Sequence, residues 1–493
     1  MVRRHGWAAY GPGVVGADPG GVAPDEELRP ELADVGRLAR RGLRAVVGAA
    51  RAAERPSLTR ILLEHLGGTA GLDVVEETWA HYEHVNVQAG LDAWLAEPSR
   101  TWSLVGVVGY QHFQFGLGEL LSGAEMPFPH GPRPGNPSTV NVPCGPDGEV
   151  RPCVRCGIYL VTEGDVRTAV LLLGAAEEFG RPRISVQVVS TDLAAASRAA
   201  GEIRASALEH NVFRGQVISF EAEFFGPGQT VLQFHRRPAL DADQLILPAE
   251  TLAEVERQVV EVARHKDRLL AAGQHLKRGV LLYGPPGVGK THTVRFLISN
   301  LTATTVVQVT GNAMQYIAEA CSIARMLQPA MVVVEDVDLI AEDRGMHPGQ
   351  HPLLFQLLNE MDGLAEDADV VFVLTTNRAD LLEPALAARP GRVDQAVAME
   401  LPDADARRAL FELYRGPLPV DTMGLDDVIA RTEGVTASFL KELLRRAALL
   451  AATRTPGADV LEVSAGDLSA ALDELLDTRN AMTRTLLGSA PSA

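Results

Sequence analysis

Cysteine is scarce in this chain, with four among 493 residues. That is too few for a disulfide scaffold, so a reducing compartment is expected. No run of about 18 apolar residues occurs, so no bilayer span is expected. The start, Met1 to Gly21, carries Arg3 and Arg4, but Gly, Pro and Asp18 interrupt its apolar part. It reads as a poor secretory leader, and a soluble cytoplasmic protein is the expectation. A basic excess is missing too: 45 Lys and Arg stand against 63 Asp and Glu, a net charge of −18. That balance argues against nucleic acid held by phosphate neutralisation. Arg37, Arg40, Arg41, Arg44 and Arg51 fall at helical spacing and read as a solvated face. His-Glu-x-x-His, the zinc-peptidase pattern, occurs nowhere,.

The length suggests two to four domains. Residues 1–24 are rich in Gly and Pro and read as a disordered tail, and residues 481–493 read as a tail,. Residues 25–125 read mostly as helix, with Leu72 to Leu95 at helical spacing. Residues 126–156 hold prolines at 127, 129, 132, 134, 137, 143, 146 and 152. That density predicts a linker or long loop without regular structure. Residues 157–240 read as a small α+β domain. Its expected strands are Gly157–Thr162, Thr168–Gly174, Ile184–Ser190, Gln216–Ala222 and Thr230–His235, with a helix over Leu193–His210. From 245 to 415 strand and helix alternate, which predicts a parallel sheet covered on both faces. Residues 416–480 return to helix. No internal repeat is visible.

The most informative stretch is Gly284-Pro285-Pro286-Gly287-Val288-Gly289-Lys290-Thr291, followed by His292. It follows the apolar run Gly279–Tyr283 and opens into a predicted helix, the context of a phosphate-binding P-loop. Glycines let several N–H groups converge, and a helix N-terminus adds partial positive charge. Lys290 has the reach for β- and γ-phosphates, and Thr291 has a hydroxyl for Mg²⁺. Downstream, Ala330–Val334 reads as a buried parallel strand ending in Glu335, Asp336 and Asp338,. Acids at that end serve metal and water activation, although a helix cap would use them equally. Val370–Thr376 is a second such strand, with Asn377 at its end as a candidate water or γ-phosphate contact.

These motifs, in this order, resemble the AAA+ ATPase superfamily. The resemblance rests on Gly284–Thr291, Val332–Asp338, Leu357–Leu364, Thr375–Asp380 and Arg389–Asp394 and covers residues 245–480. It is similar to the AAA subgroup carrying a second region of homology. It implies an α/β P-loop NTPase core with a C-terminal helical lid, the lid carried by Gly434-Val435-Thr436 and Leu440-Lys441-Glu442. It implies Mg-ATP bound by Lys290 and Thr291, an acidic pair Glu335 and Asp336 with Glu335 beside the metal, and Asn377 as sensor. Arg389 and Arg392 look like arginine fingers supplied to a neighbouring subunit, which implies a ring, usually a hexamer. Asp362-Gly363-Leu364 is similar to an inter-subunit signalling motif.

Two departures stand out. The usual acidic order is Asp then Glu, and here it is Glu335 then Asp336. The shorter acid at the water position predicts slower turnover. Threading relatives also carry aromatic–apolar–Gly after the second strand, where this chain has Tyr316-Ile317-Ala318. Tyr316 reads either as a client-gripping aromatic or as a packing residue. Separately, Cys144, Cys153 and Cys156, with His130 upstream, form a Cys-x8-Cys-x-x-Cys pattern that either wraps zinc or holds ordinary thiols,. The function expected is ATP-driven remodelling, disassembly or unfolding of a protein client. The alternative is a nucleotide-gated assembly scaffold without threading.

Overall fold

The computed structural model describes residues 57–68, 72–110, 115–122, 131–176, 180–222, 230–338, 352–380, 393–456 and 460–477. The expected tails lie outside these. The described chain builds two seven-stranded sheets and a C-terminal helical cluster. No described helix is long and apolar enough to cross a membrane.

The first sheet contains β1 (Val75–Ala80), β2 (Arg100–Val108), β3 (Arg133–Gly135), β4 (Ser138–Pro143), β5 (Val150–Glu163), β6 (Val166–Leu173) and β7 (Arg183–Ser190). Its order is β1-β7-β6-β5-β2-β3, with β4 paired to β5. All its pairings are antiparallel. Helices α1 (Leu58–Leu66), α2 (His84–Leu95), α3 (Leu117–Leu121) and α4 (Leu193–Glu209) bury apolar residues against it. Val87, Leu91, Ala196 and Ile203 of α2 and α4 join one core, and Leu62 and Leu117 of α1 and α3 join another. Gly90 lets α2 and α4 touch, since a Cβ there would sit 2.3 Å from the Ala207 backbone.

The second sheet takes β8 (Val217–Ala222), β9 (Thr230–His235), β10 (Arg278–Tyr283), β11 (Thr305–Val309), β12 (Ala330–Val334), β13 (Val370–Thr376) and β14 (Gln395–Ala398). The order is β14-β10-β13-β12-β11-β8-β9. Every pairing is parallel except that of β8 with β9. Strands β12 and β13 are buried from end to end, as a sheet covered on both faces requires,. On one face lie α5 (Ala249–Glu256) and α6 (Lys290–Asn300); on the other lie α7 (Ile317–Met326) and α8 (Pro352–Asp362). A π-helical turn, Arg257–Glu261, follows α5. Arg278 of β10 is buried beside it and donates to the Gln258 and Val259 carbonyls, which the irregular turn presents,. The C-terminal cluster is formed by α9 (Ala404–Arg415), α10 (Leu425–Arg431), α11 (Ala437–Arg454) and α12 (Ala465–Leu476) around its own core.

Three expectations are corrected. Residues 25–125, expected mostly as helix, also hold strands: β1 falls within the Leu72–Leu95 stretch read at helical spacing, and β2 follows it. The register of β1 against β7 half-buries one side of an otherwise polar stretch, and pairing overrides local propensity,. The proline-rich 126–156 segment is not free of regular structure, since it contains β3, β4 and the start of β5. The prolines fit because β4 pairs only β5, and the first residues of β5 pair only β4. A missing N–H is tolerated on strands with a free side. Finally, β8 and β9 do not join the 157–240 unit but extend the second sheet, with Val217 opposite Val306. Arg237, just beyond β9, donates to the carbonyls of Gly215, Ile298, Leu301 and Thr304 and ties that hairpin to the end of α6.

Candidate functional site

The parallel register aligns four strand ends on one edge. Tyr283 faces Thr376, Val334 faces Leu374, and Val309 faces Val334. Loops leaving the carboxyl ends of such strands form the crevice where ligands bind in open α/β sheets. The P-loop leaves β10 at this edge and enters α6 at Lys290. Gly284 has φ 151°, and a Cβ there would lie 2.2 Å from the Met399 carbonyl oxygen. No side chain fits that approach. Gly287 has φ 82°, and a Cβ would meet the Thr436 and Ser438 hydroxyls at 3.0 Å. The Ser438 amide donates to the Gly287 carbonyl at 3.3 Å, so the first turn of α11 docks on the phosphate loop.

Lys290 is only 7% exposed. Its ammonium donates to the carbonyls of Gly284 and Pro285, each at 2.8 Å. Burial lowers its pKa, while Asp336 and Asp338 pull the other way,. The loop thus presents a desolvated cation beside converging backbone groups. Thr291 donates its hydroxyl to Glu335 Oε2 at 2.8 Å. A hydroxyl and a carboxylate oxygen side by side are the donor chemistry that Mg²⁺ selects.

Asp336 follows in a left-handed backbone conformation, φ 53°. Asp and Asn tolerate that region better than longer or branched residues do, which suits the shorter acid of the reversed pair. Its amide donates to Thr375 Oγ1 at 3.0 Å, and its carboxylate accepts from Asn377 Nδ2 at 3.3 Å. Lys290, Thr291, Glu335, Asp336 and Asn377 therefore converge from three loops. Around one centre stand a cation, a hydroxyl, two carboxylates and an amide, the set that phosphoryl transfer to water requires.

His292 turns to the side, with its Nε2 on the Gln244 carbonyl at 3.0 Å. Arg389, Arg392 and His130 lie outside the described residues. Gly363, after α8, donates its amide to Asn359 O, and Leu364 is buried. Tyr316 packs its ring on Phe220 of β8 at 5.6 Å, and Phe220 meets Tyr82 of the first sheet's helical turn at 5.5 Å.

The three candidate zinc cysteines do not meet at one point: Cys144 packs against the cluster that holds Cys153, while Cys156 lies in another. Cys153 and Cys156 are buried in different hydrophobic clusters, and burial pushes both thiols up to about 12. No group of three or more His, Cys, Asp or Glu among the described residues has metal-binding geometry. Sequence reasoning gave no separate role to Asp338, Thr375 and Thr376, which lace two strand ends together, and did not single out Ser438, which reaches the loop. Asp338 was visible as a third acid two residues after Asp336.

Residues 280–401 match the family model of the ATPase family associated with various cellular activities (AAA). Among curated proteins, the chain is 36% identical over 239 residues to ATP-dependent zinc metalloprotease FtsH 2 of Sphaerobacter thermophilus, covering 46% of this chain and 35% of the relative. It is 34% identical over 258 residues to FtsH 3 of the same organism, covering 50% and 51%. It is 34% identical over 218 residues to FtsH of Thermus thermophilus, covering 41% and 35%. The chain thus spans between a third and a half of the length of these relatives.

Proposed function

We propose that this chain, which belongs to the AAA+ ATPase superfamily through residues 280–401, hydrolyses ATP and uses the cycle to remodel a protein client as a ring, usually a hexamer in this superfamily. The observation that carries the reading is the convergence of Lys290, Thr291, Glu335, Asp336 and Asn377 at one sheet edge. In this reading Gly284 to Lys290 cradle the phosphates. Thr291 and Glu335 hold Mg²⁺, whose chemistry when bound is to neutralise charge on the β- and γ-phosphates. Asp336 takes a proton from water as its oxygen bonds the γ-phosphorus and the bond to the ADP oxygen breaks. Asn377 orients that water. Arg389 and Arg392 reach the γ-phosphate of the adjacent protomer, and α9 to α12 cover the base.

A second reading, a nucleotide-gated assembly scaffold without threading, is favoured by Tyr316. Its half-buried ring stands against Phe220 at 5.6 Å, a contact that supports a packing role. The zinc peptidase chemistry of the FtsH relatives is not carried over, because His-Glu-x-x-His is absent from this sequence.

The test is steady-state ATPase activity together with size-exclusion chromatography, with and without ATP, for the wild type and Lys290→Ala. ATP-dependent assembly and turnover, both lost in the variant, are expected. A strict monomer under both conditions would contradict fingers acting between subunits. Capture of partners by an Asp336→Asn trap then separates the two readings, because only remodelling leaves a client stalled on the ring.

A further inference from the structure

We propose that Asp338 is a positioning residue for hydrolysis: its buried carboxylate holds the end of β13 so that the Asn377 amide is aimed at Asp336. The inference rests on the ATPase reading above and deepens it.

Asp338 lies two residues beyond Asp336 and is 7% exposed, whereas Asp336 faces solvent. One oxygen, Oδ1, accepts from Thr376 Oγ1 at 2.8 Å and from the Asn377 backbone N–H at 3.1 Å. Thr376 Oγ1 in turn accepts from the Arg378 amide at 2.9 Å. From the other side, the Asp336 amide donates to Thr375 Oγ1 at 3.0 Å and the Val337 amide to Thr375 O at 2.9 Å. Residues 336–338 and 375–378 are therefore laced into one unit that leaves β12 and β13 together. The product of the lacing is the Asn377 Nδ2 to Asp336 Oδ1 contact, 3.3 Å long. A hydrogen bond of that length is sensitive to small shifts of the backbone carrying the amide. What matters at Asp338 is the acceptor: one oxygen takes both donors and so fixes Thr376 and the Asn377 backbone together. Its carboxylate bonds Thr376 and the Asn377 backbone and not Asp336, so its route to Asp336 passes through Asn377.

The experiment compares ATP turnover and nucleotide affinity in the full chain for the wild type, Asp338→Ala, Asn377→Ala, the double variant and Asp338→Asn. Asp338→Ala should lower kcat by about 10- to 100-fold, the scale of a misaligned group, with KM and nucleotide Kd within about threefold. The double variant should be no more than about threefold slower than Asn377→Ala alone, since both changes disable one unit. Asp338→Asn keeps the acceptor oxygen and should recover most of the rate. Losses that multiply in the double variant, or a raised KM with unchanged kcat, would overturn the inference. If Asp338→Ala does not fold, Thr376→Val removes one donor to the same carboxylate and must give the same kcat-selective loss; an unchanged rate overturns it. Absence of wild-type turnover would overturn the ATPase reading and this inference together. Wild-type turnover with an unimpaired Asp338→Ala would overturn this inference alone.

Discussion

Asn377 donates its side-chain amide to the Asp336 carboxylate at 3.3 Å, joining the ends of two neighbouring parallel strands. A carboxylate held this way is oriented without being neutralised, as a general base requires. Asp336→Asn should keep nucleotide affinity within about threefold and lower kcat at least about 100-fold, the usual size of a general-base contribution. Asn tolerates the left-handed backbone at this position as Asp does,, so the loss would not arise from strain. Calorimetric binding beside steady-state turnover separates the two effects. Unchanged turnover would remove Asp336 from the base role.

Lys290 donates to two inward carbonyls of its own loop. Lys290→Ala removes that contact as well as the proposed phosphate ligand. ATP binding should weaken by at least about tenfold, the value of one charge-assisted contact of about 1.4 kcal/mol or more. Fluorescent-nucleotide titration reads this directly. Undiminished binding would be incompatible with the phosphate-loop reading.

The phosphate loop is also braced from outside. At Gly284 an added methyl meets the Met399 backbone oxygen, which cannot swing aside; at Gly287 it meets two hydroxyls, which can. Gly284→Ala should destabilise the chain by about 2 kcal/mol or more, and Gly287→Ala by roughly half of that, since left-handed strain alone is about 1 kcal/mol. Thermal melts of the two variants should therefore fall in that order. A reversed order would mean that the Met399 contact yields.

Acid should loosen the C-terminal helical cluster first. The Arg445 and Arg446 guanidinium groups beside Glu442 draw its carboxyl from 4.5 to about 2. Arg454, with the Ser464 cap, holds Asp467 well below the usual carboxylate range. Both folded values lie below the unfolded ones, so their stabilisation is present above about pH 4.5 and is lost as pH falls toward 2,. Ser464→Ala, which removes the reciprocal cap of α12, should cost about 1 kcal/mol and shift this acid transition upward,. Far-ultraviolet circular dichroism along a pH titration is the measurement. An acid transition unchanged by the substitution would detach the cap from it.

Much of the second sheet was legible because its strands are continuous apolar runs punctuated by chemistry: Val280–Tyr283 before the glycines, Ala330–Val334 before the acids, Val370–Thr376 before Asn377. Period and motif agree there. The first sheet was harder to read. Its β1, Val75 to Ala80, carries two glutamates and becomes a strand only by pairing with β7,. Proline counting failed for β4 and β5 because the sequence does not say which side of a strand will lack a neighbour,. Within the site, residue types were readable but mutual aim was not. Nothing in the string Val-Glu-Asp-Val-Asp reveals that the last acid turns inward to Thr376 while the middle one faces solvent on a left-handed backbone.

Tyr316 illustrates the same limit and can be tested outright. Its ring stands against Phe220, which stands against Tyr82, so an aromatic seam joins the segment after β11 to the first sheet. Such ring pairs contribute about 0.5–1.5 kcal/mol beyond the area they bury. Tyr316→Ala should therefore lower stability by about 1–3 kcal/mol while leaving basal ATP turnover within about threefold, and Tyr316→Phe should restore the melt. A client-gripping ring would give the opposite pattern, an unchanged melt with lost client processing, because an exposed aromatic supports nothing beneath it. Parallel melts and ATPase rates of the two variants decide between a seam and a grip. A melt of Tyr316→Ala identical to the wild type would sink the seam.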